Sequence, residues 1–280
     1  MHPVRVGLVG IENSHAEHIL RHLGLDEAPA LRATAIVAGD PERTARLAEL
    51  GRVERVVDDV RALVGEVDAF IITTRDGATH RDLAVPFLEA GVPVWVDKPF
   101  AETRADAEAM VVAAGRGGAL LTSSSTLRWL SDTDAVAAAL PGIGPVRRLT
   151  VSGPADPDGP FGGLFFYGIH HADLAQRLAP GEPGDLRVSA HDRGLIARYR
   201  SGEVEVALDF VRPDLEVPFR VTAEGAQGSV DREIVVGGDY VQPALQAFGR
   251  MLVTRQVAVP SAEMLAAVTV IEETVATAGE

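Results

Sequence analysis

Short apolar runs and longer amphipathic stretches alternate along residues 1–124. Apolar runs of strand length occur at Val4–Val9, Ala33–Ala38, Asp68–Thr74, Val92–Val96 and Ala119–Ser123. Between them, apolar residues recur at helical spacing in His15–Leu25, Glu42–Leu50, His80–Ala90 and Thr103–Gly115. Strands that alternate with helices of about ten residues are typical of a parallel sheet covered on both faces. The pattern therefore predicts a doubly wound α/β domain over residues 1–124.

After residue 124 the pattern changes to strands that follow one another more directly. Strands are predicted at Val146–Ser152, Leu186–His191, Gly194–Arg200, Glu203–Phe210 and Phe219–Ala223, and helices at Tyr167–Leu178 and Met264–Ala278. The last three strands are joined by tight turns, which favours antiparallel pairing. We therefore expect an α+β second domain over residues 125–280 with an open, largely antiparallel sheet. For its C-terminal helix, packing on the first domain is an alternative.

Composition excludes several functional classes. The 280 residues carry a formal net charge of −14, which argues against non-specific binding to nucleic acid. The absence of Cys excludes disulfides, thiolate nucleophiles and Cys-ligated zinc. No apolar run approaches the length that spans a bilayer, and the N-terminus lacks the pattern of a signal peptide. We expect a cytoplasmic protein with neither a nucleic-acid nor a membrane partner.

The turn after the first strand lies where a dinucleotide-binding fold places its glycine-rich sequence. Gly10 is present, but Glu12 and His15 occupy the positions of the second and third glycines. Glu12 brings a negative charge to the expected place of a phosphate. The helix N-terminus still offers N–H groups, and Ser14 and His15 can donate hydrogen bonds. Either a dinucleotide binds in an altered pose, or the ligand is lost or different.

Further cofactor candidates lie where other strands end. Asp40 ends the second strand, where a carboxylate can accept ribose hydroxyls and repel a 2′-phosphate, which favours NAD over NADP. Its simpler role is to cap the helix that begins with Pro41. The segment from Thr73 and Thr74 to His80 can line a cofactor or form an ordinary loop. Asn13 is a candidate for binding or capping at the first helix.

Lys98 is the only lysine in a chain with 26 basic residues. It follows a predicted strand directly after Asp97 and thus lies at the ligand edge of the sheet. Lysine, unlike arginine, can lose its proton near neutral pH when burial and neighbours favour this. Lys98 is therefore a candidate acid/base, although Asp97 beside it would tend to keep it charged. A chance survivor of a bias toward arginine is the alternative.

His170 and Asp173 are three residues apart on a predicted helix and share one face. His170 is a candidate acid/base that Asp173 would orient. Metal sites built from His170, His171 and Asp173, or from Glu12, His15 and His18, lack a well-defined ligand spacing, and we predict no metal. The simpler interpretation of His171 is a residue on the helix surface.

The order of these motifs resembles the Gfo/Idh/MocA family of NAD(P)-dependent oxidoreductases. The similar segments are Ala38–Ala48, Val67–Thr103, Gly168–Leu178, Thr222–Asp231 and the helix Met264–Ala278. The resemblance implies a Rossmann domain, a second domain that often forms oligomers through its sheet, and hydride transfer between a nicotinamide and a sugar or cyclitol. By position, Lys98 and His170 match catalytic residues, Asp40 the ribose-binding acid, and Arg128 the Arg that opens the second domain.

The sequence also departs from the family pattern. Beyond Glu12 and His15, Phe166 replaces an Asp four residues before the His, and Asp97 replaces the Glu of the family's Glu-Lys-Pro triplet. The main hypothesis is a homo-oligomeric NAD-dependent oxidoreductase of a polyhydroxylated substrate. In it Lys98 and His170 are catalytic, and Arg128 and Asp173 bind substrate. The predicted cofactor-binding residues are Gly10, Asn13, Ser14, His15, Asp40, Thr73, Thr74, His80 and Asp97. A degenerate relative that binds a ligand without turnover, and an NAD-assisted lyase or epimerase, are the alternatives.

Overall fold

The computed structural model describes residues 2–25 and 30–279 and divides into two compact units. Unit 1 comprises Met1–Ala101, Ala105–Ser124 and Val241–Pro260, and unit 2 comprises Glu102–Arg104, Ser125–Tyr240 and Ser261–Glu280. The predicted boundary at residues 124 and 125 is one of the divisions between them. The segment Val241–Pro260 also belongs to unit 1, which the sequence pattern does not anticipate.

Unit 1 is built on a parallel sheet. Within the described residues its strands are β1 (Val4–Val9), β2 (Leu31–Val37), β3 (Arg55–Val57), β4 (Ala69–Ile72), β5 (Val94–Val96) and β6 (Leu121–Ser123). They lie in the order β3-β2-β1-β4-β5-β6, and every pairing is parallel. The predicted doubly wound sheet is confirmed. The strand order reverses between β1 and β4, and ligands of such sheets bind beyond the carboxyl ends of the strands at this point.

Side chains cap the first two helices of the described part of the chain. In chain order the helices are α1 (Ser14–Leu23), α2 (Pro41–Leu50), α3 (His80–Glu89), α4 (Arg104–Gly117), α5 (Ser131–Ala139), α6 (Leu164–Leu178), α7 (Gln242–Thr254) and α8 (Ser261–Ala278). Asn13 caps α1 by accepting from the N–H of His15, and Asp40 caps α2 by accepting from the N–H of Arg43. The predicted capping role of Asp40 is confirmed.

Aromatic contacts explain why the two ends of unit 1 in the sequence belong together. The rings of Phe70 on β4 and Phe87 on α3 stack with centroids 3.8 Å apart. Trp95 on β5 lies 5.8 Å from Phe248 on α7, and both side chains are buried. Burial of such large apolar surfaces is worth a few kcal/mol each. This burial ties α7 to the sheet of unit 1.

Unit 2 is a mixed sheet with helices on one face. Its strands within the described part of the chain are β7 (Val146–Pro154), β8 (Pro183–His191), β9 (Gly194–Ser201), β10 (Val204–Val211), β11 (Phe219–Gly225) and β12 (Ser229–Ile234). Their order is β12-β11-β7-β10-β9-β8, with β7 and β10 parallel and the other pairs antiparallel. The predicted α+β domain is confirmed. The C-terminal helix α8 lies in unit 2 and contacts α6 and β8, and it is α7 that joins unit 1.

Three elements do not follow from the sequence pattern: β12, α5 and α7. β12 reads Ser-Val-Asp-Arg-Glu-Ile, and most of it is exposed. Charged side chains of this kind are typical of a strand at a sheet edge. They also obscure the alternation of apolar and polar residues from which a strand is predicted.

Among the described residues, no helix combines the length and apolar character needed to cross a membrane.

Candidate functional site

Gly10 directly follows β1 and has a backbone conformation that only glycine adopts easily. Its φ is +96°, and a Cβ there would lie 2.2 Å from the backbone nitrogen of Thr74. The buried hydroxyl of Thr73 donates toward the carbonyls of Val9 (2.9 Å) and Gly10 (3.0 Å). Thr73 therefore shapes the turn from behind. The first glycine of the fingerprint is a steric necessity in this chain.

The two residues that replace the other glycines each have a protein partner. The carboxylate of Glu12 accepts a hydrogen bond from the backbone N–H of Arg75 at 3.1 Å. The ring of His15 is buried, and its Nδ1 lies 2.6 Å from Oδ2 of Asp97. Glu12 is thus engaged with the loop after β4, and His15 with the residue after β5.

Arg43 also holds the turn, and the sequence did not single it out. Its guanidinium donates to the carbonyl of Ile11 and, at 3.0 Å, to the carbonyl of Asn13. Asp40 uses Oδ1 to accept from the N–H of Arg43 at 2.9 Å. A carboxylate can accept several hydrogen bonds, so this cap is compatible with binding of ribose hydroxyls. The feature of the sequence that could have identified Arg43 is its position three residues after the capping residue Asp40.

The remaining predicted cofactor residues of unit 1 lie at the same edge. Ser14 is exposed at the start of α1, and Thr74 Oγ1 lies 3.1 Å from the hydroxyl of Thr79. The ring of His80 is fully buried, with Nδ1 at 2.8 Å from the carbonyl of Pro99 and Nε2 at 3.0 Å from that of Thr74. Both His80 nitrogens thus contact backbone carbonyls, one in the loop after β4 and one in the segment after β5. His80 therefore acts on a ligand by positioning these two segments.

Lys98 is buried at the end of β5, with 5% of its surface exposed. Its pKa is lowered from 10.5 to about 8, mainly by burial and to a smaller extent by the charge of Arg75, whereas Asp97 opposes the shift. For the fully buried Asp97, burial raises the pKa, but the interactions with His15 and, after them, the charge and backbone N–H of Lys98 outweigh it. The pKa of Asp97 therefore lies below its ordinary value. The site holds an ionised carboxylate beside an amine that can lose its proton near neutral pH.

Two buried polar atoms at this edge favour a dinucleotide. Nδ2 of Asn13 and Oδ1 of Asp97 have no hydrogen-bond partner among the described residues. Buried polar atoms are rarely left unpaired, so both atoms are suited to hydrogen-bond a ligand. Asn13 lies at the N-terminus of α1, where a donor and the helix dipole suit a phosphate, and Asp97 can accept from a hydroxyl or amide. The residues fit NAD.

The second cluster lies within unit 2 around His170. Ser125 Oγ lies 2.6 Å from His170 Nδ1 and accepts a hydrogen bond from the N–H of Leu127 at 3.0 Å. Both Ser125 and His170 are buried. Ser125 therefore fixes the orientation of the imidazole. The sequence predicted His170 but not its serine partner, which lies 45 residues earlier.

Arg128 and Asp173 form a buried network that supports Ser125. Asp173 accepts from the N–H of Ser125 through Oδ2 (3.1 Å) and from Arg128 through Oδ1 (3.1 Å), while Arg128 also pairs with Glu263. Burial raises the pKa of Asp173, although Arg128 opposes this. Asp173 thus acts on His170 through Ser125. The predicted binding of substrate by Arg128 and Asp173 stays a prediction.

The neighbouring positions on α6 are aromatic or buried. Phe166, which stands where the family has an Asp, packs against Phe161 and Tyr167 with ring centroids 5.4 and 5.0 Å away. The interpretation of His171 as a surface residue is wrong. Its side chain is fully buried against Phe210 and Phe219, and burial lowers its pKa to about 4. Within residues 2–25 and 30–279, no three His, Asp or Glu side chains are grouped to hold a metal ion.

Comparison with known proteins agrees with this geometry. Residues 4–124 match the model of an oxidoreductase family with an NAD-binding Rossmann fold, Gfo/Idh/MocA. D-apiose dehydrogenase of Paraburkholderia graminis is 35% identical over 107 residues, which cover 38% of this chain and 28% of that protein. Inositol 2-dehydrogenase 2 of Saccharopolyspora erythraea is 29% identical over 250 residues, covering 85% of this chain and 68% of that protein. The matched part thus spans less than a third of the apiose enzyme.

A solved structure shows the same fold along nearly the whole chain. It is an oxidoreductase from Agrobacterium radiobacter in complex with NAD+, L-tartaric acid and magnesium. The two chains are 17% identical, with a TM-score of 0.81 over 99% of this chain and 96% of that one. Residues 4–124, the part of the chain that matches the Gfo/Idh/MocA model, are therefore similar to oxidoreductases with an NAD-binding Rossmann fold.

Proposed function

We propose that this protein is an NAD-dependent oxidoreductase that interconverts a hydroxyl and a carbonyl group of a sugar, a cyclitol or a similar polyol. The observation that carries the proposal is Lys98. The only lysine of the chain is buried at the ligand edge of a dinucleotide-binding sheet, with a pKa of about 8. Its relatives that act on apiose and inositol favour this substrate class.

Lys98 handles the proton of the reacting hydroxyl. When a carbinol is oxidised, its O–H proton must leave, and a neutral amine can accept it. When a carbonyl is reduced, the ammonium form returns that proton. A group with a pKa of about 8 is present in both forms near neutral pH. Arginine cannot do this, because its guanidinium stays protonated.

Residues of unit 1 bind and orient the cofactor. We assign phosphate binding to the N-terminus of α1 with Asn13, and ribose binding to Asp40. NAD, when bound, supplies the hydride acceptor or, in its reduced form, the hydride. The negative charge of Asp40 disfavours the additional phosphate of NADP.

His170 is a second acid/base or substrate-binding group. Its Nδ1 lies 2.6 Å from the hydroxyl of Ser125, which fixes the orientation of the ring. Asp173 accepts hydrogen bonds from the N–H of Ser125 and from Arg128, and these bonds hold Ser125 in place beside His170.

The test is binding of NADH followed by turnover with a panel of sugars and cyclitols, including apiose and inositol. We expect NADH to bind and at least one polyol to be oxidised. Lys98→Met and Lys98→Arg should each lower kcat by about 10² to 10⁴, with NADH affinity kept within about threefold. Absence of NADH binding at millimolar concentration, or full activity of Lys98→Arg, would contradict the proposal. NAD already bound to the purified protein, with elimination or epimerisation instead of net oxidation, would favour the lyase or epimerase.

We further propose a homo-oligomer formed through the uncovered face of the unit 2 sheet. Small and paired side chains lie there side by side, among them Thr150 and Ala207 in register and the ion pair of Arg200 with Glu205 (3.9 Å). A sheet face with complementary charges suits a second copy of itself. Light scattering of the purified protein gives the mass, and a monomer would contradict this. A cytoplasmic location stays a prediction.

A further inference from the structure

Three aromatic side chains of unit 2 form a continuous series of ring contacts that ends at His170. The ring centroids of Phe161 and Phe166 lie 5.4 Å apart. Those of Phe166 and Tyr167 lie 5.0 Å apart, and those of Tyr167 and His170 lie 6.0 Å apart. Tilted and edge-to-face contacts of this kind are attractive. Phe161, Phe166 and Tyr167 are called the aromatic row below.

The helical spacing brings two members of the aromatic row to the side of α6 that carries His170. Phe166 is four and Tyr167 three residues before His170, and side chains at these spacings lie on the same helix face. The first turn of α6 reads Leu-Phe-Phe-Tyr, without a charged residue. Position 166 is also the one at which the family pattern has an Asp. An acid that could bind a hydroxyl group is thus exchanged for an apolar ring beside His170.

The aromatic row is accessible from solvent. Phe161 is 40% and Tyr167 is 45% exposed, and Phe166 between them is half-buried. Single exposed apolar residues are common, whereas adjacent exposed rings beside a buried acid/base candidate are typical of a binding site. The row therefore offers apolar surface that a ligand can cover.

The backbone holds Phe161 in a conformation that is unfavourable for its residue type. Its φ is +62°, in the left-handed region that bulky side chains rarely adopt. Strain of this kind tends to occur where a residue contacts a ligand. Packing in the core does not explain it, because the ring is 40% exposed. We take the strain as a second sign that Phe161 is placed for binding.

The turn after Phe161 is fixed by close backbone contacts. A Cβ at Gly163 would lie 2.1 Å from the carbonyl oxygen of Pro157. The N–H of Gly163 donates to the carbonyl of Gly159, and the N–H of Phe166 donates to the carbonyl of Gly163, both at 3.1 Å. These contacts leave the turn little freedom, so the ring of Phe161 is held against Phe166 before a ligand binds.

We propose that the aromatic row is a subsite for an aryl group, and that the substrate is a polyol that carries such a group. The inference rests on the proposed function, since it names a feature of the substrate that reacts beside His170. An aryl group adds a further ring in the same kind of contact that the members of the row make with one another. The hydroxyl groups of an unsubstituted sugar would lose water to these rings without gaining equivalent hydrogen bonds.

Binding is tested with phenyl β-D-glucoside and with methyl β-D-glucoside, the matched ligand without the ring. Saturation-transfer NMR on the full chain reports which ligand protons contact the protein, and it requires neither cofactor nor turnover. We expect transfer to the aryl protons and an affinity about tenfold higher for the phenyl compound. Equal affinities for the two glucosides, or no transfer to the aryl protons at millimolar concentration, would overturn the proposal.

The three tyrosines of the chain locate the bound aryl group. With ¹³C-labelled tyrosine, the ring signal of Tyr167 is assigned by its loss in Tyr167→Phe. Phenyl β-D-glucoside should shift this signal and leave that of the buried Tyr199 unchanged. A shift at Tyr199 or Tyr240 without one at Tyr167 would place the aryl group elsewhere and contradict the proposal.

Phe161→Gly separates binding from stability. Glycine adopts a positive φ without strain, so the midpoint of urea unfolding should change little. The preference for the phenyl compound should fall about tenfold, because one ring of the row is lost. Tyr167→Ala is the second variant with the same expected loss, and Val275→Ala, an exposed apolar position on α8, is the control. A preference that survives in both Phe161→Gly and Tyr167→Ala would overturn the proposal.

A second copy of the chain is the competing occupant of the aromatic row. Light scattering of Phe161→Gly should give the same mass as the natural protein, and a lower mass would assign the row to an interface and overturn the proposal. Failure of the proposed function is distinguishable, because it appears as absent NADH binding or absent turnover with every polyol. The NMR measurements still report on the aryl group in that case.

Discussion

Two histidines, one in each unit, are each held by a contact of 2.6 Å, and their partners differ in charge. His15 of unit 1 contacts the carboxylate of Asp97, and His170 of unit 2 contacts the hydroxyl of Ser125. A carboxylate stabilises the protonated form of an imidazole, whereas a hydroxyl can donate or accept and favours neither form strongly.

The difference separates two roles. The ring of His15 is held in unit 1 by a buried carboxylate next to Lys98. The ring of His170 is oriented in unit 2 by a neutral hydroxyl, which suits an acid/base. The comparison predicts that His170 matters for the rate and that His15 matters for the geometry around Asp97.

Of the two histidines compared, His170 should have the larger effect on the rate when it is removed. We expect His170→Ala to lower kcat by about 10² to 10³, because a positioned acid/base is lost, while NADH affinity is unchanged. Steady-state kinetics with the best polyol measures this. His191→Ala, in the same unit, is the control and should keep full activity. A loss of less than about fivefold in His170→Ala would remove His170 from the chemistry.

A smaller effect is expected when the partner of His170 is removed. Ser125→Ala deletes the hydroxyl that orients the ring and accepts from the N–H of Leu127, so kcat should fall about tenfold. Ser125→Thr keeps the hydroxyl and should recover most of the rate. If the alanine and threonine variants were equally slow, bulk at this position rather than hydrogen bonding would be the cause.

The turn of unit 1 gives a prediction about cofactor affinity. Glu12→Gln keeps an acceptor for the N–H of Arg75 but removes a negative charge from the expected place of the pyrophosphate. The Kd for NADH should fall about threefold to tenfold at low salt, and less at high salt, since screening weakens the repulsion. Fluorescence titration of NADH measures it, with Glu49→Gln on α2 as the control. Weaker binding by Glu12→Gln would mean that Glu12 contributes to the site.

The smallest effect on activity, but a clear one on stability, concerns His171. Its folded pKa of about 4 lies below the ordinary value of 6.5, so the unfolded chain binds the proton more tightly. The free energy of unfolding should therefore decrease as the pH falls from 6.5 to 4, by up to roughly 3 kcal/mol. Urea unfolding at several pH values measures this. His171→Phe should flatten that dependence, and an unchanged slope would contradict the assignment.

The sequence predicted the fold because its strands and helices have regular apolar periods. It also placed Gly10, Asp40 and Lys98 at one edge, since parallel strands all end there. The pairing of His15 with Asp97 spans 82 residues and depends on how α1 and β5 lie in the sheet. No local pattern contains it. Ser125 resembles an ordinary cap in the sequence, and its contact with His170 appears only when α6 is folded onto it.

The central claim is that Lys98 loses its proton near neutral pH. The most direct measurement is the pH titration of the single lysine side-chain signal in the natural protein at moderate salt. The account predicts one transition with a midpoint of about 8. A midpoint near 10.5, the ordinary value for lysine, would contradict it and remove Lys98 as the acid/base.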